Sequence, residues 1–222
     1  MFDRFKILIG DKVDKLENKT VLLVGLGGVG GYVFESLVRS NVGNIIVCDN
    51  DVFDITNLNR QILSNVNNIG QLKVDEAEKR KNMINKSCNV VKIAEFITDD
   101  NVSLLFEKKI DFVIDAIDTI KTKKLIIKNC LQKNIKFISV MGTGNKMDAS
   151  RLEICDVRDT SYDPIAKEIR NFVKKEKINK KVPVVYSKEF IKTGRVGSTA
   201  FVPAVAGLLA SSYAVNVLVK ED

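Results

Sequence analysis

The stretch Thr20-Val21-Leu22-Leu23-Val24-Gly25-Leu26-Gly27-Gly28-Val29-Gly30-Gly31 carries the clearest chemical signal in the chain. An apolar, β-rich run leads into G-x-G-x-x-G, and a helical pattern follows from Tyr32 to Ser40. Glycines at 25, 27, 28 and 30 let the backbone turn tightly and approach a phosphate. The N-terminus of the helix then offers free N–H groups and the positive end of its dipole. A second apolar run, Asn44 to Cys48, ends at Asp49, 24 residues after Gly25, where a carboxylate can hold ribose hydroxyls. Strand, turn, helix and acid in this order predict nucleotide binding; a glycine turn that serves packing alone is the alternative. Further polar residues follow: Asp51-Val52-Phe53-Asp54-Ile55-Thr56-Asn57-Leu58-Asn59-Arg60-Gln61, Gly70-Gln71-Leu72-Lys73, and Phe112-Val113-Ile114-Asp115-Ala116-Ile117-Asp118. Arginine, lysine and a carboxylate-held magnesium ion can stabilise negative charge on phosphate oxygens. Taken singly, each of these residues reads equally well as a solvated loop charge or a cap. It is their order that favours a phosphate site.

The elements that must position these groups alternate along the chain. Residues 1–19 read as a short amphipathic helix, with Phe5, Leu8 and Ile9 on one side, and a polar turn. A β-α-β unit spans 20–49, helical spacing covers 71–84, and 89–96 reads as a strand. A short helix holds 102–106, a buried strand 111–116, a helix 119–134 and a strand 136–140. Gly142-Thr143-Gly144-Asn145-Lys146 lies at that strand's carboxyl end, where open α/β sheets bind ligands. Beyond Ser150 the pattern changes. Leu152 to Val157 alternates like a half-buried antiparallel strand. A helix opens at Asp163-Pro164 and runs to Lys175, Val182 to Tyr186 is a strand, 190–198 a loop, and 201–219 an apolar helix. The fold class is therefore α/β: Rossmann-like, with a mainly parallel sheet covered by helices on both faces and antiparallel strands added in the C-terminal third. The expected organisation is one domain over 1–222: an N-terminal helix (1–19), a nucleotide-binding core (20–149), and a sheet extension with a closing helix (150–222).

The chain has 222 residues, 45% of them hydrophobic, which suits a soluble domain with an ample core. Met1 to Gly10 is too short and too charged for a secretory signal, so a cytoplasmic protein is expected. Ala200 to Val219 is uncharged and about long enough to cross a bilayer. It contains Pro203, Gly207, Ser211, Ser212 and Asn216, and a helix covering the sheet is the preferred reading. Cysteines at 48, 88, 130 and 155 form no C-x-x-C pair, and Cys48 and Cys130 read as reduced core thiols. Histidine is absent, so any acid–base step falls to another group or to the substrate. The net charge of +7 suits a polyanionic partner. Lys167, Arg170, Lys174, Lys175, Lys177, Lys180 and Lys181 crowd one region; of these, Lys174, Lys175, Lys177 and Lys180 are the candidate RNA contacts, with simple solvation as the alternative.

The strand-end D-x-x-N-x-N-R-Q, the downstream lysine and the later D-x-x-D resemble the ubiquitin-activating-enzyme-like fold of the ThiF, MoeB and HesA proteins, which use ATP to adenylate a carboxylate. Along nearly the whole chain the resemblance is to one branch, the tRNA threonylcarbamoyladenosine dehydratase (TcdA) family. It rests on Phe2 to Gly10, Asn57 to Ile62, Asp115 to Thr119, Ser139 to Lys146, Asp163-Pro164-Ile165-Ala166-Lys167-Glu168-Ile169-Arg170, Val184 to Glu189, and Ser198 to Gly207. The segment joining Glu189 to Ser198 is shorter than is usual there. Relatives of the ThiF and MoeB type usually carry two C-x-x-C pairs for structural zinc, and no structural zinc is expected in this chain.

The resemblance implies that ATP adenylates the threonylcarbamoyl carboxylate on the tRNA adenosine beside the anticodon. Intramolecular attack then closes a ring and releases AMP, without an enzyme nucleophile. By position, Gly25, Gly27, Gly28 and Gly30 would border the ATP phosphates and Asp49 would hold the ribose. Asn57, Arg60 and Lys73 would contact phosphates, and Asp118 would hold Mg2+. The resemblance also implies a homodimer in which Arg4 reaches the neighbour's ATP; an exposed arginine on an amphipathic helix is the alternative. A sulfur-transfer or desulfurase-type partner is conceivable, and membrane contact is not expected. Activation of a ubiquitin-like sulfur carrier, or a non-catalytic nucleotide-binding subunit, are the competing functions.

Overall fold

Strand β1 (Thr20–Val24) is apolar and buried after Thr20, and these residues divide between two cores. Val21 and Leu23 join one apolar cluster, Leu22 and Val24 the other, as the two-residue period of a strand buried on both faces requires. The computed structural model describes residues 1–189, 191 and 194–220. Around β1 lie β2 (Asn44–Cys48), β3 (Asn89–Ile93), β4 (Phe112–Asp115), β5 (Lys136–Val140), β6 (Leu152–Asp156) and β7 (Pro183–Ser187). They form one seven-stranded sheet in the order β3-β2-β1-β4-β5-β7-β6. All neighbours run parallel except β6 and β7, which pair antiparallel from Leu152 opposite Ser187 to Asp156 opposite Pro183. The strand order reverses between β1 and β4, the switch point at which such sheets leave a crevice beyond their carboxyl ends.

Helices cover both faces. Those of the first half are α1 (Asp3–Ile9), α2 (Lys12–Leu16), α3 (Gly30–Arg39) and α4 (Lys73–Asn82); α5 (Ile120–Lys133), α6 (Pro164–Lys175) and α7 (Phe201–Leu218) follow. On one face Phe34 and Leu37 of α3, Val74 and Ala77 of α4, and Ala206, Ala210 and Ala214 of α7 share a core. On the other, Ile126 and Ile127 of α5 meet Ala166, Ile169 and Val173 of α6. Helix α7 is long and apolar enough to cross a membrane by length and composition. Here one side of it packs on the sheet and on α3, where Ser36 Oγ donates to Ser211 Oγ at 2.7 Å.

Several boundaries differ from the sequence reading, most of them by one or two residues. The N-terminal helix is two helices, broken at Gly10 with φ +64°. Phe5 and Ile9, four apart, pack inward, while Leu8 is 79% exposed. Helix α4 starts at Lys73 rather than 71, because Leu72 is extended and bridges to Val52. Strand β3 ends at Ile93 and β4 at Asp115. The loop expected over 190–198 falls partly outside the described residues, at positions 190, 192 and 193.

Candidate active site

The chain leaves β1 through a turn that only glycine fits. Gly25 has φ +94°, and a Cβ there would stand 2.8 Å from the Ala116 carbonyl oxygen; one on Gly30 would stand 1.8 Å from the Gly25 oxygen. No side chain caps the N-terminus of α3; Gly31 N donates to Gly27 O at 3.0 Å and Tyr32 N to Val29 O at 3.1 Å, so the glycine turn itself closes the first turn of the helix. Asp49, one residue past β2, ties this turn down: its Oδ2 accepts from Leu26 N at 2.6 Å and its Oδ1 from Asp51 N at 2.9 Å. Each carboxylate oxygen keeps a second lone pair for a ribose hydroxyl. Burial pushes the Asp49 carboxyl up, and the nearby Lys73 ammonium opposes this.

A cleft of about 1130 Å³ opens over the carboxyl ends of the strands. Gly25, Gly27, Gly28, Asp49, Asn57, Arg60, Lys73 and Asp118 all line it. Lys73 is 5% exposed, with Nζ 2.8 Å from Asp51 Oδ2 and 3.9 Å from Asp49 Oδ1. The turn holding Arg60 is set by a capping box, in which Asp54 Oδ1 accepts from Thr56 N and Asn57 Oδ1 accepts from Asp54 N. Arg60 Nη1 donates to Thr56 O and Asn59 Oδ1, both at 2.9 Å, and its Cγ lies 3.3 Å from where a Gly28 Cβ would stand. The arginine therefore lies along the glycine turn because that position has no side chain. Asp118 is exposed, three residues beyond the end of β4 rather than at it, in the loop before α5.

Gly30 does not line the cleft; it is buried in the first turn of α3 and serves the turn's geometry. Arg4 is exposed on α1 and Lys174, Lys175, Lys177 and Lys180 are exposed beyond the middle of α6; none lines the cleft. Helix α6 begins at the cleft with Pro164, and its 12 residues carry the chain about 18 Å away before Lys175. The lysine cluster thus sits at the opposite end of the sheet from the glycine turn.

The loop from Gly142 to Lys146, expected at a ligand-binding strand end, does line the cleft, but sequence reasoning did not join it to Asp163 and Glu189, with which it forms a second wall. Lys146, 5% exposed, donates to Glu189 O at 2.8 Å and Ser187 O at 3.3 Å and lies 3.9 Å from Asp163 Oδ2. Burial lowers its pKa, against the pull of Asp163 and Glu189. Glu189 Oε2 accepts from Met147 N and Asp148 N, both at 2.9 Å, and fixes the loop after β5. Gln61 Oε1 and Asp163 Oδ2 are buried oxygens without a hydrogen-bond partner among the described residues, and both side chains line the cleft. Asp163 was legible only as a helix start, a role its Oδ1 fulfils by accepting from Ala166 N at 2.8 Å. Asp115 points away from the cleft into a fully buried pair with Lys123. Burial raises the thiols of Cys48 to about 12 and of Cys88 and Cys155 to about 11.

An uncapped helix terminus, a glycine turn, two cations and a free carboxylate around one cleft can hold a nucleoside triphosphate and stabilise charge at its phosphates. The family model of ThiF matches residues 4–222. The chain belongs to the ThiF family. Within ThiF it is 39% identical over 241 residues to a Bacillus subtilis protein named tRNA threonylcarbamoyladenosine dehydratase, covering 99% of this chain and 95% of that one. An Escherichia coli protein of the same name is 33% identical over 170 residues, covering 76% of this chain and 63% of its own length. Among solved ThiF structures, the E. coli tRNA N6-threonylcarbamoyladenosine dehydratase TcdA in complex with ATP superposes with a TM-score of 0.94 at 29% identity, covering 99% of this chain and 93% of that chain.

Proposed function

We propose that this chain is an ATP-dependent tRNA threonylcarbamoyladenosine dehydratase. The observation that carries the reading is the single cleft that gathers the glycine turn, Asp49, Asn57, Arg60, Lys73 and Asp118. Its relatives' names supply the substrate class. The threonylcarbamoyl carboxylate attacks the α-phosphorus of ATP and pyrophosphate leaves. The carbamoyl group then attacks the acyl carbon, AMP leaves, and one N–H proton is released. Gly25, Gly27 and Gly28 border the phosphates, Asp49 orients the ribose, and Arg60 and Lys73 neutralise charge that grows on the α-phosphate oxygens. The test is to incubate the protein with ATP, Mg2+ and tRNA carrying threonylcarbamoyladenosine. The nucleoside should lose the mass of one water as AMP and pyrophosphate appear; AMP formation with unchanged tRNA would contradict the reading.

Asp118 would hold Mg2+ beside the bound nucleotide, where the ion would supply positive charge to the phosphates. Asp118 is exposed and carries no packing, so Asp118→Asn should leave Tm nearly unchanged and raise the Mg2+ concentration needed for half-maximal rate several-fold. A large fall in Tm with unaltered Mg2+ dependence would make its role structural.

The protein works as a homodimer in which Arg4 completes the partner's site. Arg4 is exposed at the start of α1, outside its own cleft, and a guanidinium binds phosphate oxygens bidentately. Arg4→Ala and Lys73→Ala proteins, each inactive, should recover activity on mixing, since one site of each heterodimer holds both groups intact. A mixture that stays inactive after verified subunit exchange rules this out. Lys174, Lys175, Lys177 and Lys180 hold tRNA phosphates remote from the reacting nucleoside. Replacing all four with Glu should weaken tRNA binding and flatten its salt dependence, leaving ATP affinity unchanged; unchanged tRNA affinity would make the cluster merely solvating. The reading also places the protein in the cytoplasm with its tRNA, and recovery in the membrane fraction would contradict that.

A further inference from the structure

We propose that Tyr162 is a stacking platform for a nucleobase of the RNA substrate; this rests on the tRNA reading above. Tyr162 lines the cleft, yet it is 73% exposed. It stands on the wall formed by the loop after β5 and the start of α6, whereas the glycine turn belongs to β1 and α3. Strands β1 and β5 are two places apart in the sheet, about 10 Å. The ring is therefore offered at the mouth of the cleft, away from the phosphate end.

Its backbone is the second observation. Among the described residues, five besides glycine have φ in the left-handed region: Asn41, Asn134, Asn145, Lys177 and Tyr162. Three are asparagine, the side chain that tolerates this conformation, and Tyr162, at φ +56°, is the only aromatic. A bulky residue there costs conformational energy that glycine or asparagine would remove, and such cost is kept where the surroundings enforce it. The next residue does the enforcing: Asp163 is 2% exposed, caps α6 through Ala166 N, and is followed by Pro164. The turn is thus pinned on its buried side and presents an aromatic ring to solvent on the other. RNA read as single strand is held by stacking unpaired bases on such rings, and a base in an anticodon loop is free to be splayed onto one. Lys167, exposed one turn into α6, lies on the same stretch to meet the flanking phosphate.

The chain has no tryptophan, so Tyr162→Trp installs a single fluorescent reporter at the platform. Its emission should be quenched, saturably, by an anticodon stem-loop RNA carrying threonylcarbamoyladenosine. Tyr162→Asn, which relaxes the turn, should raise KM for tRNA roughly 5- to 100-fold, the range one stacked base accounts for. Tm should stay the same or rise, and Kd for ATP should not move; Tyr162→Phe should behave as wild type. Emission unchanged while filter binding shows the RNA bound, or wild-type KM in Tyr162→Asn, overturns the stacking role alone. Weakened ATP binding in Tyr162→Asn would put the ring on the adenine of ATP instead, which overturns it too. If the unsubstituted protein does not bind the RNA at all, the tRNA reading falls and the platform with it.

Discussion

Arg60→Ala and Lys73→Ala should each lower turnover by about 10²-fold or more, the loss seen when one preorganised charge donor is removed from a transition state. Both side chains are held before any ligand arrives. Arg60 is fixed by the Thr56 carbonyl and Asn59, and Lys73 is buried against Asp49 and Asp51. The side chain of Asp51 is 61% exposed, so it can turn to water when a phosphate takes over the ammonium. The effect should fall on kcat with modified tRNA and be accompanied by a small change in Tm. Near wild-type rates in both variants would remove these residues from the chemistry. A collapse of Tm in Lys73→Ala would show that its lysine chiefly neutralises the two aspartates.

The largest stability effect is expected at Lys123. Lys123 and Asp115 are both fully buried, with Nζ 2.8 Å from Oδ2. Lys123 also donates to Val140 O at 2.9 Å, and Ser139 Oγ donates to the same Asp115 oxygen at 2.6 Å. Removing one member of such a pair leaves a buried charge without compensation and costs about 3–5 kcal/mol. Lys123→Met should therefore lower Tm by roughly 6–20 °C for a chain of this size. Pairing it with Asp115→Leu should recover most of the loss, because replacing both members of a buried pair is commonly neutral or better. A Tm within about 2 °C of wild type for Lys123→Met alone would show that water reaches the pair.

The glycine turn and Asp49 were legible because everything they need is local: one strand, one helix, and an acid at the end of the next strand. The same holds for the sheet, whose buried strands announce themselves as Val/Ile runs. Asp118 shows where local reading stops. The run from Phe112 to Ala116 does not reveal the end of the ladder, which is set by the partner strand. β1 pairs only as far as Val24 opposite Asp115, and then Gly25 turns away. The joining of the Lys146 loop to Asp163 and Glu189 was hidden for a different reason. Its members are brought together by the β5-β7-β6 end of the sheet, with 43 residues between Lys146 and the carbonyl of Glu189 that it meets. Asp163 carried a sufficient local explanation as a helix cap, which concealed its second oxygen. The role proposed for Arg4 depends on a second copy of the chain, about which one sequence carries no packing pattern.

ATP–pyrophosphate exchange tests the central claim most directly, because it reports carboxylate adenylation and nothing after it. Exchange should require tRNA bearing threonylcarbamoyladenosine, be absent with tRNA lacking that group, and be absent with a ubiquitin-like sulfur-carrier protein. Exchange driven by the carrier protein and indifferent to the modified tRNA would contradict the account.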